Sequence, residues 1–232
     1  MSMRLFLGVC ALLALPFAFW SGVASAAAAD EPSATSLIFD HKHLSNVEQG
    51  SEVEYKFNRS VSDAKLLGEP FSDDINVKIV ATKPTGEKDV ELQIYTGERA
   101  RELQKMPDLT INPIFIVYLQ QAVSSFSNLS GGKHSYLKRV FSMALKDKAT
   151  VEPIKLQYKG NPIDAYRISV MPYVDDENAS KMEGWEKAKF VIVISEQVPG
   201  EVVDMHSTYK NALVGDLKLQ ERITLPGVEG LE

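Results

Sequence analysis

The sequence contains a single cysteine, Cys10, among 232 residues. One cysteine cannot form an intrachain disulfide, a zinc ribbon or an iron–sulfur cluster, so these three classes are excluded. An excess of positive charge is also lacking, because 25 Lys and Arg stand against 31 Asp and Glu, for a net charge of −6. A nucleic-acid-binding protein needs a basic surface to neutralise phosphates, and we therefore expect no nucleic-acid partner.

Long linkers, internal repeats and low-complexity tracts are absent from Leu37 onward. The chain is 44% hydrophobic and 24% charged, which is ordinary for a globular protein and argues against disorder or a coiled coil. We predict a single domain over residues 37–232.

The first 29 residues have the three-part layout of a secretory signal peptide. Met1–Arg4 carries one positive charge, Leu5–Trp20 is almost wholly apolar, and Ser21–Ala29 is rich in small residues. A membrane-spanning helix needs about 20 apolar residues, and this run is shorter. We therefore predict export to the periplasm with cleavage in the stretch from Ala26 to Ala29, and not an uncleaved anchor.

Removal of the predicted signal peptide, residues 1–26, would leave a mature chain without cysteine or a stable transmembrane anchor. Cys10 follows Val9 inside the apolar run, whereas a lipid-attachment site has a small residue directly before its cysteine. Residues 27–36 are rich in Ala, Ser, Asp, Glu and Pro and predict a flexible leader. A domain of about 200 residues can bury enough apolar surface without disulfides, which fits a bacterial periplasmic protein.

Alternation of apolar and polar residues predicts eight strands in two groups. They cover residues 52–59, 75–81, 90–95, 151–158, 163–173, 187–195, 202–209 and 217–225. Turn residues at 83–87 and 159–162 predict antiparallel hairpins, and the apolar run Phe190–Ile194 predicts a central strand.

Two helices are predicted between the groups of strands. Asn112-Pro113 is a helix start, apolar residues follow at helical spacing through Phe126, and Gly131-Gly132 is a stop. A second helix is predicted over Ser135–Lys146. The fold class is therefore α+β: a largely antiparallel, curved sheet, as a meander or half-barrel, with an inserted helical hairpin packed on it.

The sequence gives no strong signal for a metal, a cofactor or catalysis. His41-Lys42-His43 with Asp40 could hold two imidazoles on one face, but no further ligand pattern completes a site. The two S-x-x-K matches, at 62–65 and 135–138, lack the companion motifs of penicillin-recognising enzymes, and there is no G-x-S-x-G elbow. We predict a non-enzymatic protein with no cofactor and no metal.

A basic cluster surrounds the predicted turn between the helices. Lys133, His134, Lys138 and Arg139 could contact anionic lipid headgroups, or they could form an ordinary solvated helix start.

The first helix is apolar nearly all round over Ile114–Leu119. Such a helix is either buried against the concave face of the sheet or lies against an apolar ligand, membrane or partner.

Three stretches resemble a family of exported proteobacterial proteins of uncharacterised function: Asn112–Lys133, Tyr136–Arg139 and Gly160–Ile163. The order of strands, a helical pair and more strands over Leu37–Leu225 is also similar to periplasmic lipoprotein carriers of the LolA/LolB type. That architectural similarity implies a curved half-barrel closed by helices over an apolar cavity. It assigns no functional residues.

Two functions remain open for the mature chain. The first is the binding of a lipid or other hydrophobic ligand between sheet and helices, driven by burial of apolar surface. The second is an envelope assembly or interaction protein, with a packed core and no small ligand. For the first function the predicted lining residues are Tyr55, Phe57, Phe115, Leu119, Val123, Phe126, Ile168 and Val170.

Overall fold

The computed structural model describes residues 32–231. The predicted signal peptide and residues 27–31 of the predicted leader lie outside this range. Three α-helices are present in this range, α1 (Ala64–Leu67), α2 (Ile114–Ser130) and α3 (His134–Asp147), besides short helical segments such as Ser36–Asp40. The strands are β1 (Glu52–Val61), β2 (Phe71–Thr82), β3 (Lys88–Ile94), β4 (Gln104–Leu109), β5 (Thr150–Tyr158), β6 (Asn161–Val170), β7 (Lys189–Ile194), β8 (Val202–Lys210), β9 (Lys218–Thr224) and β10 (Val228–Glu229).

All ten strands form one open, curved sheet in the order β10-β5-β6-β7-β8-β9-β1-β2-β3-β4. Every pair of neighbours is antiparallel. α2 and α3 pack on one face, where Phe126 lies against Tyr209 and Phe141 against Phe190. The predicted α+β class with a largely antiparallel curved sheet is confirmed. The predicted hairpins β2–β3 and β5–β6 are present, and β7 lies centrally between β6 and β8.

Alternating burial explains why these segments are strands. In β1 the apolar residues Val53, Tyr55 and Phe57 are buried, and the polar residues between them are exposed. In β7 the whole run Phe190–Ile194 is buried, as expected for a strand that is covered on both faces. β4 and β10 were not predicted, because Gln104–Leu109 is mostly polar and exposed, and β10 has only two residues.

The helical hairpin follows the capping signals of the sequence. The Asn112 side-chain oxygen accepts a hydrogen bond from the Ile114 amide at 3.1 Å, which satisfies one of the free N–H groups at the start of α2. Gly131 ends α2 in the left-handed conformation, with φ of 68°. α3 begins at His134, so Ser135 lies within its first turn.

The antiparallel order brings several loops to the same end of the sheet, because β1, β3, β6 and β8 all run in one direction. We call this the loop end and define it by the segments that follow these strands: 62–70, 95–103, 171–188 and 211–217. The helix α2 runs in the same direction as β8. The Tyr118 hydroxyl donates to the His206 carbonyl at 2.7 Å, and further along, the Tyr209 hydroxyl donates to the Ala122 carbonyl at 3.1 Å.

No helix within residues 32–231 is long and apolar enough to cross a membrane.

Candidate ligand-binding groove

Buried polar contacts fix the start of α2 on the sheet. The Asn112 side-chain nitrogen donates to the Tyr55 hydroxyl at 2.8 Å and to the Gly200 carbonyl at 2.9 Å. Asn112 is fully buried, so each of these bonds replaces one that water would supply in the unfolded chain. Gly200 has φ of 71°, and a Cβ there would lie 2.7 Å from the Asn112 side-chain nitrogen, so only glycine suits this position.

A buried ion pair fixes the middle of α2. Glu221 of β9 is almost fully buried and is paired with the guanidinium of Arg59 on the neighbouring strand. The same carboxylate accepts hydrogen bonds from the Ser125 hydroxyl at 2.7 Å and from the Gln121 side-chain nitrogen at 3.0 Å. The carboxylate therefore has partners on both the sheet and the helix, which is the condition under which a buried charge is tolerated.

Five of the eight predicted lining residues lie in a filled interior. Phe126 is fully buried and stacks on Tyr173, with ring centroids 3.9 Å apart and an interplanar angle of 8°. Phe115 packs against the ring of His43 at 4.6 Å. The five residues that are buried and line neither of the two cavities beside α2 are Tyr55, Phe115, Phe126, Ile168 and Val170.

The other three predicted residues line two separate cavities beside α2. Phe57 lines a cavity of about 280 Å³ between α2 and strands β1 to β4. Leu119 and Val123 line a groove of about 480 Å³ between α2 and α3, which we call the helix groove. Its lining consists of Phe39, Ile116, Leu119, Gln120, Val123, Ser124, His134, Lys138, Phe141, Ser142 and Leu145.

The helix groove is mostly apolar and carries positive or titratable groups from α3. Phe39, from the short helical segment Ser36–Asp40, is 48% exposed although it is a large aromatic residue. Lys138 and His134 are both exposed, and the His134 ring nitrogen lies 3.4 Å from the Ser124 hydroxyl. An apolar groove with a few polar groups fits the usual composition of a small-ligand site, and its volume falls in the usual range of about 300–1,000 Å³.

A larger cleft is lined by β5, β6, the turn that follows β7 and the N-terminal segment. It has a volume of about 710 Å³, and its lining includes Lys155, Asp164, Glu196 and His41. Lys155 and Asp164 pair with each other at 2.7 Å and are exposed to solvent. This mixed charge and exposure suit an apolar ligand less well than the helix groove does.

The histidine pair predicted at 41 and 43 is brought together, with ring centroids 6.0 Å apart. His43 is fully buried, and its Nε2 lies 2.8 Å from the Leu37 carbonyl. Burial lowers the pKa of His43. Nδ1 of His43 has no hydrogen-bond partner among residues 32–231. Within the described residues no group of three or more His, Cys, Asp or Glu could hold a metal ion.

His41 instead faces carboxylates. Its Nδ1 lies 3.4 Å from Glu201 and 3.8 Å from Glu196. Burial raises the pKa of Glu201, and the hydrogen bond with His41 acts in the opposite direction. The contact between His41 and Glu201 links the N-terminal segment to the turn between β7 and β8.

A further polar cluster surrounds Asp204 of β8. Its carboxylate accepts hydrogen bonds from Arg222 and Thr224, each at 2.6 Å, and lies 2.8 Å from Nδ1 of His206. Burial would raise the pKa of Asp204, but these three contacts together lower it. Within residues 32–231 no hydroxyl or thiol is hydrogen-bonded to the His206 ring, so the cluster orients an imidazole but does not pair it with a nucleophile.

The fold and groove define an α+β protein with a ten-stranded antiparallel sheet and an apolar surface groove between two helices. No protein-family model matches the sequence. A comparison with curated proteins finds no match. These results give no support to the resemblance to a proteobacterial family. Among solved structures, the chain is similar to the Mycobacterium tuberculosis lipoprotein LppX, with 10% identity, 78% of this chain and 87% of LppX covered, and a TM-score of 0.31. A similarity this weak establishes neither a shared family nor a shared function.

The sequence carried signals for most of the groove but not for its assembly. Phe141 and Leu145 fall on the apolar side of α3 at helical spacing, and His134 and Lys138 belong to the basic cluster. Phe39 had no usable signal, because it lies in a short, irregular segment with no periodic pattern. The groove lies between the consecutive helices α2 and α3, and only Phe39 comes from a segment distant in the sequence, so its place in the wall follows from the packing of the fold.

Proposed function

We propose that this protein is an exported, periplasmic, non-enzymatic binding protein whose helix groove holds an acyl chain. The observation that supports this proposal is the groove itself: a cavity of about 480 Å³ lined by Leu119, Val123, Phe141 and Leu145, with Phe39 half exposed at its wall. Val123, Phe141 and Leu145 are already buried, so an apolar ligand there would remove from water mainly the exposed surface of Phe39 and Leu119 and its own acyl chain, at about 25 cal/mol per Å² buried, less the cost of association. Residues 1–26, with their signal-peptide layout, support export.

We further propose that the ligand has an anionic headgroup beside Lys138 and His134. Both side chains are exposed in the groove lining, and Lys138 makes no ion pair with another described residue. A solvent-exposed ion pair between an ammonium group and a carboxylate or phosphate contributes about 0.2–1 kcal/mol to the binding free energy. The headgroup contact therefore orients the ligand, while burial of the acyl chain supplies most of the affinity.

Fluorescence titration with dansyl-undecanoic acid tests the proposed groove. Leu119→Glu places a carboxylate among the apolar lining residues, so we expect at least about a tenfold loss of affinity, or about 1.4 kcal/mol. Asn128→Glu adds the same charge to an exposed position of α2 outside the groove and should bind as the wild type does. Equal affinity of these two variants, or no binding by the wild type, would contradict the acyl-chain proposal.

Lys138→Gln tests the proposed headgroup contact. We expect a two- to fivefold loss of affinity for palmitate and no loss for hexadecanol, since an exposed ion pair contributes about 0.2–1 kcal/mol. Arg139→Gln is the matched control, because Arg139 is exposed on the same helix but lies outside the groove lining. A similar loss with both lipids would mean that Lys138 contributes through packing and not through its charge.

The filled interior also favours the alternative proposal, an envelope assembly or interaction protein without a small ligand. The tight stacking of Phe126 on Tyr173 leaves no space for a ligand at that point between sheet and helices. Native and denatured mass measurements on protein purified from the periplasm separate the two proposals. A reproducible extra mass that is lost on denaturation and extracts into organic solvent supports the binding protein.

A further inference from the structure

The cavity between α2 and strands β1 to β4 differs from the helix groove in the residues at its opening. Its volume is about 280 Å³, and we call it the sheet-side cavity. Three half-buried side chains form its apolar walls: Met106, Ile116 and Val117. Three exposed polar side chains lie at its opening: Arg101, Gln104 and Gln120. An apolar space with a few polar groups at its opening suits an amphiphilic ligand.

The charge of the sheet-side cavity is positive. Of the fifteen described residues that line it, Arg101 alone is charged, and its guanidinium makes no ion pair with another residue in the range 32–231. Glu98 and Glu102 lie on the same loop, but neither lines the cavity. Glu221, which accepts a hydrogen bond from a glutamine of the lining, is buried and paired with Arg59. The cavity therefore presents an uncompensated positive charge to a ligand that enters it.

The loop-end segment 95–103 holds Arg101 in place before a ligand binds. The Arg101 amide donates to the Ile94 carbonyl at 2.9 Å, and the Arg101 carbonyl accepts from the Gln93 side-chain nitrogen at 2.9 Å. The guanidinium carbon lies 5.3 Å from the centroid of the Tyr95 ring, within the range of a cation–π contact. Tyr95 has φ of 61°, which is uncommon for a residue other than glycine, so the loop turns sharply at the end of β3. A cation that is already positioned lowers the ordering cost of binding.

The helix α2 lies between the sheet-side cavity and the helix groove. Ile116, Gln120 and Ser124 lie on successive turns of one face of α2 and line both cavities. Val117 lines only the sheet-side cavity, and Leu119 lines only the helix groove. Substitutions at these two positions can therefore block each cavity separately.

We propose that the sheet-side cavity is a second ligand site, which takes a small carboxylate with a compact apolar body. The Arg101 guanidinium binds the carboxylate, because its planar fork matches the two carboxylate oxygens. The apolar body lies between Met106 of β4 and Val117 of α2.

The size and polarity of the sheet-side cavity define this class of ligand. Its volume of about 280 Å³ corresponds to about nine waters of the liquid, so the ligand is smaller than the acyl chain proposed for the helix groove. A phosphate suits the cavity less well, because a single guanidinium would leave its further charged oxygens against the apolar walls. The proposal goes beyond the helix groove and does not require the groove to be occupied.

Isothermal titration calorimetry with three small carboxylates tests the second site. The probes are octanoate, 4-phenylbutyrate and indole-3-acetate, and all protein samples are purified from the bacterial periplasm with equal intact-mass checks of the N-terminus. We expect the wild type to bind at least one probe, and to bind the alcohol of the same carbon skeleton at least about fivefold more weakly. Added salt should weaken binding of the carboxylate and not that of the alcohol.

A matched pair of arginine variants tests the carboxylate contact. Arg101→Gln should lower the affinity for the carboxylate at least about fivefold and leave the affinity for the alcohol unchanged. Arg99→Gln is the control, because Arg99 is exposed on the same loop and also lies over an aromatic ring, 4.9 Å from the centroid of Phe71, but does not line the cavity. We expect Arg99→Gln to bind both probes as the wild type does.

A second matched pair tests the position of the apolar body. Val117→Phe fills the sheet-side cavity and should lower the affinity for the carboxylate at least about tenfold. Leu119→Phe fills the helix groove instead and should leave that affinity unchanged. Circular dichroism confirms that each variant is folded, and the exposed Arg101 provides the decisive variant if Val117→Phe does not fold.

Several results would overturn the second site. None of the three carboxylates would bind the wild type at about 1 mM, or Arg101→Gln and Arg99→Gln would lose affinity equally. Equal binding of the carboxylate and its alcohol would show that the guanidinium does not recognise the charge. If Leu119→Phe lowers carboxylate affinity as much as Val117→Phe does, the carboxylate occupies the helix groove and the second site is wrong. Leu119→Glu should keep carboxylate binding while it loses dansyl-undecanoic acid, so failure of one site is distinguishable from failure of the other.

Discussion

Replacement of Phe126 by alanine separates a filled interior from a hollow one. The Phe126 ring is fully buried, stacks on Tyr173 at 3.9 Å and lies 6.4 Å from the ring of Tyr209. Truncation of a buried phenylalanine typically costs about 3–5 kcal/mol, from lost transfer energy and from the cavity that remains. Loss of the stack between Phe126 and Tyr173 is part of this cost, since an aromatic pair adds about 0.5–1.5 kcal/mol beyond the effect of the area that it buries. We expect a loss near the upper part of the range.

Urea denaturation of the Phe126→Ala variant measures this loss directly. The free energy of unfolding comes from the midpoint and the slope with denaturant, and an unchanged slope shows that the variant unfolds as the wild type does. Leu119→Ala is the comparison, because Leu119 is only partly buried and lines the helix groove, so its truncation should cost clearly less. If Phe126→Ala lowers the free energy of unfolding by less than about 1 kcal/mol, the interior is not filled. That result would favour a ligand bound between sheet and helices.

The remaining predictions concern two buried groups. Glu221→Leu should cost about 3–5 kcal/mol because it leaves the Arg59 guanidinium unpaired, and Arg59→Leu/Glu221→Leu should recover part of that loss in a double-mutant cycle by urea denaturation. Strictly additive costs would contradict coupling between the two residues. His43 should make the protein less stable in acid: its pKa is lowered by burial, so below its ordinary value of about 6.5 the unfolded chain binds a proton that the folded chain does not. The free energy of unfolding should fall by at most about 1.4 kcal/mol per pH unit between about pH 6.5 and the lowered pKa. In His43→Gln this component should vanish, and an unchanged pH dependence in that variant would assign it to other groups.

Local patterns were sufficient to predict most of the fold. The alternation of Val53, Tyr55 and Phe57 and the apolar run in β7 are consequences of burial on one or both faces, so they are visible in the sequence. The helical hairpin was predictable for the same reason, with Asn112 and Gly131 marking the limits of α2. The edge strand β4 escaped prediction because an exposed strand has no need of a buried face, and its sequence QKMPDL has no alternation.

The candidate site was less predictable, because periodicity shows which residues are apolar but not whether they face a ligand or another side chain. Phe115 and Phe126 have the same pattern as Leu119 and Val123, yet the first two are enclosed by His43 and Tyr173 and the second two line the groove. The difference depends on partners far away in the sequence. A pairing such as Phe126 with Tyr173 has no local signal.

The groove and the buried histidine are connected through the N-terminal segment. Phe39 forms one wall of the helix groove, and two residues before it the Leu37 carbonyl lies 2.8 Å from Nε2 of His43. His43 in turn packs on Phe115 at the start of α2, so one buried imidazole joins the segment that carries Phe39 to the helix that carries Leu119. Because Nδ1 of His43 is buried without a partner among residues 32–231, a proton there would place at this junction a charge that only the Leu37 carbonyl stabilises. We therefore expect protonation of His43 to destabilise the segment that carries Phe39, and with it this wall of the groove.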